Sequence, residues 1–202
     1  MELALILIAC YLIGSIPVAY LITKKRAGID LRSSGSRNIG ARNAYETTGN
    51  KRLGFVILVL DMHKAIILLV ILSRIGYSDA VGIAAVAIML GHCYPIFLKF
   101  HGGRGLATAA AISLMFNPIF MAIWFAGYFI TGIFQKQVHI QSVVATVCCL
   151  VVELLKLSDF GFGREGIIEV VGDLHIAWIL IFLIILSRHI QPFTSHLKIK
   201  NG

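Results

Sequence analysis

The sequence predicts an all-α membrane protein with about seven transmembrane helices. Composition is the first observation: of 202 residues, 58% are hydrophobic and only 14% charged, with a mean hydropathy of +0.86. A soluble domain of this length needs more polar surface to cover its core. Apolar windows of about 18–20 residues, nearly free of charge, recur along the chain. The third observation is that lysines and arginines gather in alternate loops. No linker or low-complexity tract interrupts the pattern, so residues 1–202 read as one polytopic domain.

The hydrophobic runs place the elements in order. A first helix covers about residues 2–22 and a long basic loop follows to about 52. A second helix runs from Leu53 to Leu72, and a third over about 80–98. "KFHGGRG" leads into a fourth at about 106, and Asn117-Pro118 breaks the next apolar stretch. That break leaves open two half-helices or one kinked span. A fifth helix then reaches about 134, a sixth covers 141–157, an acidic loop spans 158–173, and a seventh ends near 188.

The charges orient the bundle. Residues 1–22 open with Met1-Glu2, and Lys24, Lys25 and Arg26 follow the apolar run. A cleaved signal peptide has its basic residues first, so this is an uncleaved helix with its N-terminus outside. Seven crossings then put loops 23–52, 99–105 and 135–140 and the tail after 187 in the cytoplasm. Fourteen of the eighteen lysines and arginines fall there. The bias accounts for most of the net charge of +8, through topology and anionic headgroups and with no need of nucleic acid. Multi-pass placement in the cell (inner) membrane follows. Cys10, Cys93, Cys148 and Cys149 match no zinc spacing or disulfide framework, and three of them sit in apolar runs as small hydrophobes.

Two glycine-rich loops share the predicted cytoplasmic face. In "HGGRG", 101–105, Gly102, Gly103 and Gly105 permit a tight turn with inward N–H groups, and Arg104 adds a bidentate donor before a helix start. These are the parts of a phosphate cradle, although the Walker A spacing is absent. A plain interhelical turn with a snorkelling arginine is the alternative. In "GSRNIGARN", 35–43, Ser36, Asn38 and Asn43 can hydrogen-bond a polyol or oxyanion, and Arg37 and Arg42 can neutralise one. A solvated loop is the alternative there.

Other polar groups sit within apolar helices. His92 lies near the cytoplasmic end of the third helix and His189 at that of the seventh. Each is either structural or available for acid–base chemistry. Asp61 and Lys64 are three apart on one helix face, which reads first as a pair supporting the site and second as a proton or ion path. "GFGREG", 161–166, matches the dinucleotide pattern by letter only, since no βαβ unit surrounds it.

With these motifs the chain resembles the bacterial acyl-phosphate:glycerol-3-phosphate acyltransferase family, the integral-membrane PlsY type. The family's first loop reads approximately GSGNxGATN, beside Gly35–Asn43 here; a D-x-x-K follows, here Asp61 to Lys64. Its second motif resembles GHxxPxFLxFxGGKGVAT, beside "GHCYPIFLKFHGGRGLAT" at 91–108. Its last helix carries a cytoplasmic histidine, here His189. The departures are Arg37 for glycine, Arg42 for threonine, Glu46 for arginine, Arg104 for lysine, Pro192 for asparagine and His139 for serine, with Ser142 nearby. The resemblance is to a divergent member of that family.

The resemblance implies an enzyme that needs no cofactor or metal. The 1-hydroxyl of glycerol 3-phosphate would attack the carbonyl of an acyl phosphate lying in membrane lipid. Inorganic phosphate would leave, giving lysophosphatidic acid in the first step of phospholipid synthesis. Positioning and charge stabilisation would be the protein's share. Ser36, Asn38, His92 and His189 are the candidate catalytic residues. Arg37, Arg42, Asn43, Gly102, Gly103, Arg104, Gly105 and Ser142 are the candidate substrate-binding ones. The resemblance also suggests a link to the soluble enzyme that forms acyl phosphate. Arg42 stands four residues before Glu46, so a helical turn would pair them and leave Arg37 to supply positive charge. The rivals are a non-acylating protein that binds or transports a phosphorylated anion, favoured by Glu46 and Pro192, and an acyltransferase with another acceptor.

Overall fold

The computed structural model describes residues 1–157 and 174–200. The acidic loop 158–173 and "GFGREG" lie outside the described residues. Among the described residues the chain is helical, with nine α-helices: α1 Glu2–Gly14, α2 Val18–Ala27, α3 Ala41–Thr48, α4 Lys51–Arg74, α5 Val81–Cys93, α6 Leu106–Phe116, α7 Pro118–Phe134, α8 Val138–Leu157 and α9 Leu174–Lys200. Short 3-10 turns stand at Ser78–Ala80 and Ile96–Leu98. Four segments are long and apolar enough to cross a bilayer: Glu2–Ala27, Lys51–Arg74, Ser78–Leu98 and Val138–Leu155. At about 1.5 Å per residue the eleven residues of α6 reach roughly 16 Å, short of a ~30 Å hydrocarbon core.

The structure amends the element boundaries in three places. The first helix, expected unbroken over 2–22, stops at Gly14 and resumes at Val18. Pro17 has no N–H and its ring crowds the carbonyl four residues back, so the ladder opens at Ser15–Pro17. The Ser15 hydroxyl donates to the Tyr11 carbonyl at 2.8 Å at this opening. Secondly, the loop expected over 23–52 holds the helix α3. Gly28 and Gly49, both left-handed with φ of 68° and 67°, close the helices before them, and Asn50 caps α4 by accepting from the Leu53 amide at 3.0 Å. Thirdly, α9 does not end near His189 and its backbone continues through Pro192 to Lys200.

The described residues form two compact units, 1–112 in one and 113–157 with 174–200 in the other. In the first, α1 and α5 pack backbone against backbone. A β-carbon at Gly14 would lie 3.0 Å from the Ile88 Cα, and one at Gly91 would lie 2.8 Å from the Ser15 amide nitrogen. Glycine there removes the side-chain layer between helices. A separate small core of Ala19, Leu31, Ile39, Ala44, Ile57 and Leu98 underlies the basic loop. Burial of Leu31 and Ile39 anchors that loop to α2, α3 and α4, so it is not simply solvated.

In the second unit α7, α8 and α9 pack around aromatic rings. Phe120 lies 4.8 Å from Trp178 and 5.2 Å from Phe182, centroid to centroid. The break at Asn117 separates α6 from α7, with Pro118 at the first position of α7, where a missing N–H costs nothing. The Ser113 hydroxyl bridges the break, donating to the Asn117 carbonyl at 2.7 Å and accepting from the Met121 amide at 3.0 Å.

Candidate functional site

Asn43 organises the first glycine-rich loop. It is 1% exposed, and its amide nitrogen donates to the carbonyls of Ser34 at 3.0 Å and Asn38 at 2.9 Å. Its amide oxygen accepts from the Ser36 backbone N–H at 2.9 Å. Gly35, at φ 58°, lies against this amide, where a β-carbon would press on Thr47 at 2.6 Å. Asn43 was expected to meet substrate. Its hydrogen-bonding groups are instead turned into the loop, where they set its path. Ser36 and Arg37 are exposed and Asn38 is half-buried.

Arg37 adopts φ 58°, a left-handed conformation that costs a side-chain-bearing residue about 1–2 kcal/mol. This is a position where the resembled motif has glycine. One helical turn brings Arg42 Nε to 2.6 Å from Glu46 Oε1, both half-exposed on α3. Arg37 has no carboxylate partner among the described residues, so it is the uncompensated cation of the loop. Beside the loop, Asp30 accepts from Arg32 through both carboxylate oxygens at 2.6–3.2 Å. That hydrogen bonding holds the Asp30 carboxyl down at about 2.

The second loop folds over the end of α5. Lys99 and Phe100 both take left-handed backbone, φ 51° and 62°, and turn the chain sharply before the glycines. Gly102 is buried, and a β-carbon on it would strike the carbonyl oxygen of Cys93 at 2.6 Å. The Gly103 amide donates to the His92 carbonyl at 3.1 Å. Of the amides expected to point at an anion, that of Gly103 is therefore turned toward α5. Its need for glycine is also not a positive φ: a β-carbon would run into His92 Nε2 and would lie 2.9 Å from the Ile39 carbonyl oxygen. The two glycine-rich loops thus meet at Gly103 and Ile39, beside His92. Arg104 is half-buried in this loop, and Gly105, at φ 80°, releases the chain into α6.

Under that meeting point lies a narrow cleft. Its walls include the Gly14–Ala19 break, Ile39, Gly102 and Gly103, and its floor holds Asp61, Lys64 and His92. Lys64 Nζ donates to the carbonyls of Gly14 at 3.1 Å and Ile16 at 3.4 Å, and contacts His92 Nδ1 at 3.0 Å. Asp61 Oδ1 stands 3.0 Å from Lys64 Nζ, close enough to balance its charge but off hydrogen-bond alignment. The carbonyls of Gly14, at the end of α1, and Ile16, inside the break, are therefore tied to an ammonium from α4. The expected Asp61–Lys64 pair exists, and it extends to His92 and to α1. The i, i+3 spacing revealed the pair; its partners come from helices remote in sequence.

The remaining candidates lie in the second unit. His189 is 1% exposed, with Nδ1 2.8 Å from the Ile185 carbonyl, and its ring centroid is 6.4 Å from that of His139. Ser142 is also buried, and its carbonyl accepts from the Thr146 hydroxyl at 2.8 Å. Glu153 is 1% exposed and meets His175 Nδ1 at 2.7 Å, a buried acidic contact that the hydrophobic pattern of α8 did not single out. No cluster of three or more metal-ligating side chains occurs among the described residues.

Known proteins resemble the chain along most of its length. A glycerol-3-phosphate acyltransferase of Pelagibacter ubique is 38% identical over 147 residues, covering 73% of this chain and 76% of its own. The crystal structure of PlsY (YgiH), an integral membrane glycerol 3-phosphate acyltransferase, in its glycerol 3-phosphate form superposes with a TM-score of 0.77 at 27% identity. It covers 98% of this chain and 93% of that one. The lysophosphatidic acid form of the same protein gives 0.75 at 25% identity, with the same coverage. Residues 4–198 match the glycerol-3-phosphate acyltransferase family, and the chain belongs to that family.

Proposed function

We propose that this chain transfers a fatty acyl group from acyl phosphate to the 1-hydroxyl of glycerol 3-phosphate, releasing lysophosphatidic acid and inorganic phosphate. The observation that carries the reading is the meeting of two glycine-rich, arginine-bearing loops over the His92 cleft, in a chain that matches the family along nearly its whole length. The hydroxyl oxygen bonds to the acyl carbon, the acyl–oxygen bond to phosphate breaks, and the hydroxyl proton leaves with the phosphate. Acyl phosphate is an activated donor, so positioning and charge stabilisation supply the catalysis.

In this reading the exposed Ser36 and Asn38 orient the reacting groups, and Asn43 holds their backbone. Arg37, Arg104 and the Gly102 and Gly105 amides neutralise phosphate oxygens. Arg42 acts through its pair with Glu46. Ser142, His92 and His189 complete the set as substrate contacts. The whole chain acts as one multi-pass unit of about seven crossings in the cell membrane, N-terminus outside and both loops toward the cytoplasm. It draws its donor from the soluble enzyme that makes acyl phosphate.

Incubating the purified protein with acyl phosphate and labelled glycerol 3-phosphate tests this. Labelled lysophosphatidic acid and stoichiometric phosphate are expected. Binding of glycerol 3-phosphate without phosphate release would support a non-acylating anion binder instead. Acylation of a different acceptor would keep the reaction and change its substrate.

A further inference from the structure

We propose that Lys64 is a positioning residue that fixes the tautomer of His92, so that the ring presents an N–H from Nε2 toward the glycine loops and any phosphate held there. The inference rests on the acyltransferase reading for its ligand, and on the hydrogen-bond geometry of the cleft floor for the tautomer.

An ammonium has three hydrogens and no lone pair. Lys64 Nζ has three aligned partners: the Gly14 carbonyl at 3.1 Å, the Ile16 carbonyl at 3.4 Å and His92 Nδ1 at 3.0 Å. The two carbonyls can only accept, and Lys64 can only donate. His92 Nδ1 must therefore accept, and the ring hydrogen belongs on Nε2. Asp61 argues the other way, because a carboxylate beside Nδ1 would draw a hydrogen onto it. Its Oδ1 stands 3.6 Å from Nδ1, beyond hydrogen-bonding distance, so the 3.0 Å contact with Lys64 decides.

Nε2 is the nitrogen a β-carbon at Gly103 would strike, and the Ile39 carbonyl borders the same spot. The hydrogen is thus directed to the place where both loops meet. A phosphate oxygen there would find a donor whose orientation is set from α4, through a lysine that also ties down the break in the first helix. His92 then serves as a fixed donor and does not carry a proton between substrates. Lys64, about 10% exposed, acts on the ligand only through His92.

Histidine labelled with ¹³C and ¹⁵N reports the tautomer directly in protein held in lipid nanodiscs, with His92 assigned by its loss in His92→Gln. The Nε2–H form is expected in the wild type, and glycerol 3-phosphate should shift its Nε2 signal. Lys64→Arg keeps a donor and should keep that form. Lys64→Met should move His92 toward the Nδ1–H form, donating to Asp61, and lower kcat about 10–100-fold. Kinetics of His92 variants cover the case in which Lys64→Met fails to fold. Glutamine offers a carbonyl to Lys64 and an N–H in place of Nε2, so His92→Gln should stay within about tenfold of wild-type kcat/KM, while His92→Leu loses about 10–100-fold. An Nδ1–H wild type, an Nε2 signal indifferent to glycerol 3-phosphate, or equal losses in the two His92 variants would overturn the inference. A protein with the expected tautomer and ligand shift that releases no phosphate would overturn the acyltransferase reading and leave this one standing.

Discussion

Arg42 and Glu46 form an ion pair of 2.6 Å across one turn of α3. Both residues depart from the resembled motif, and they depart together. The acid at position 46 is thereby answered within its own helix, while Arg37, in the adjoining turn, has no carboxylate partner among the described residues. The exposed pair contributes little to stability, about 0.3–0.5 kcal/mol. Its consequence is electrostatic. Glu46→Arg alone should raise the KM for glycerol 3-phosphate, because it sets two guanidinium groups against each other. Arg37→Gly, Arg42→Thr and Glu46→Arg together should restore activity to the starting level or above it, measured as phosphate release. A gain from Glu46→Arg alone would show that the pair does not shape the site.

Arg37 carries charge at a conformational cost. Arg37→Gly should raise the thermal midpoint, by relief of about 1 kcal/mol at φ 58°. The same change should weaken glycerol 3-phosphate, seen as a higher KM. Stability and affinity moving in opposite directions is the outcome that supports both roles. A variant with unchanged KM would remove Arg37 from the anion site.

Gly102 and Gly103 differ in what a methyl group would strike. At Gly103 the obstacles are the His92 ring and the Ile39 carbonyl, which can shift by moving the loops. Gly103→Ala should therefore fold and lose kcat/KM about tenfold or more. At Gly102 the obstacles are carbonyls at the end of α5 and the Pro95 ring. Gly102→Ala should lose about 1–3 kcal/mol of stability, read as a lower midpoint in detergent.

Asp30 gives a pH dependence with a defined sign. Arg32 holds its carboxyl at about 2, below the ordinary 3.8. A lowered folded-state value adds stability above the ordinary value, and the contribution fades as pH falls toward the lowered one. Wild type should therefore exceed Asp30→Asn in thermal midpoint at neutral pH. The gap should close between about pH 4 and pH 2. The group is exposed, so the gap is small, and a gap unchanged across that window would exclude the pair as its source.

Single cysteines at Ser34 and Ser78 test the orientation. Ser34 lies in the loop before α3 and Ser78 in the turn after α4, and an impermeant thiol reagent applied to intact cells should label only the one at position 78. Cys10, Cys93 and Cys149 are buried and would give little background. Labelling at position 34 from outside would invert the bundle and place both glycine loops on the other face.

The membrane-helical class was legible because hydropathy reports it directly, and the Asp61–Lys64 and Arg42–Glu46 pairs were legible because spacing along a helix fixes which side chains are neighbours. Pro17 was in plain view, yet an apolar run hides the helix break. Two carbonyls of the break are held by Lys64, forty-seven residues on from Pro17. Asn43 looked like a ligand group because an exposed and a buried asparagine read alike in sequence. Its inward turn depends on Leu31 and Ile39 packing beneath the loop. The contact of Gly103 with His92 joins two ends of one motif, but the left-handed Lys99 and Phe100 that bend it back carry no glycine signal.

The Lys64 pairing also bears on how the chain enters a bilayer as it is made. A lone charge at the centre of a helix costs a few kcal/mol at insertion. Asp61 and Lys64 arrive on the same α4, three residues apart, so their opposite charges can meet without help from any other helix. The helix can be threaded into lipid as a locally neutral segment. The Gly14 and Ile16 carbonyls and the ring of His92 can then dock onto it. One lysine would thus serve first to get its helix across and later to clasp the assembled bundle.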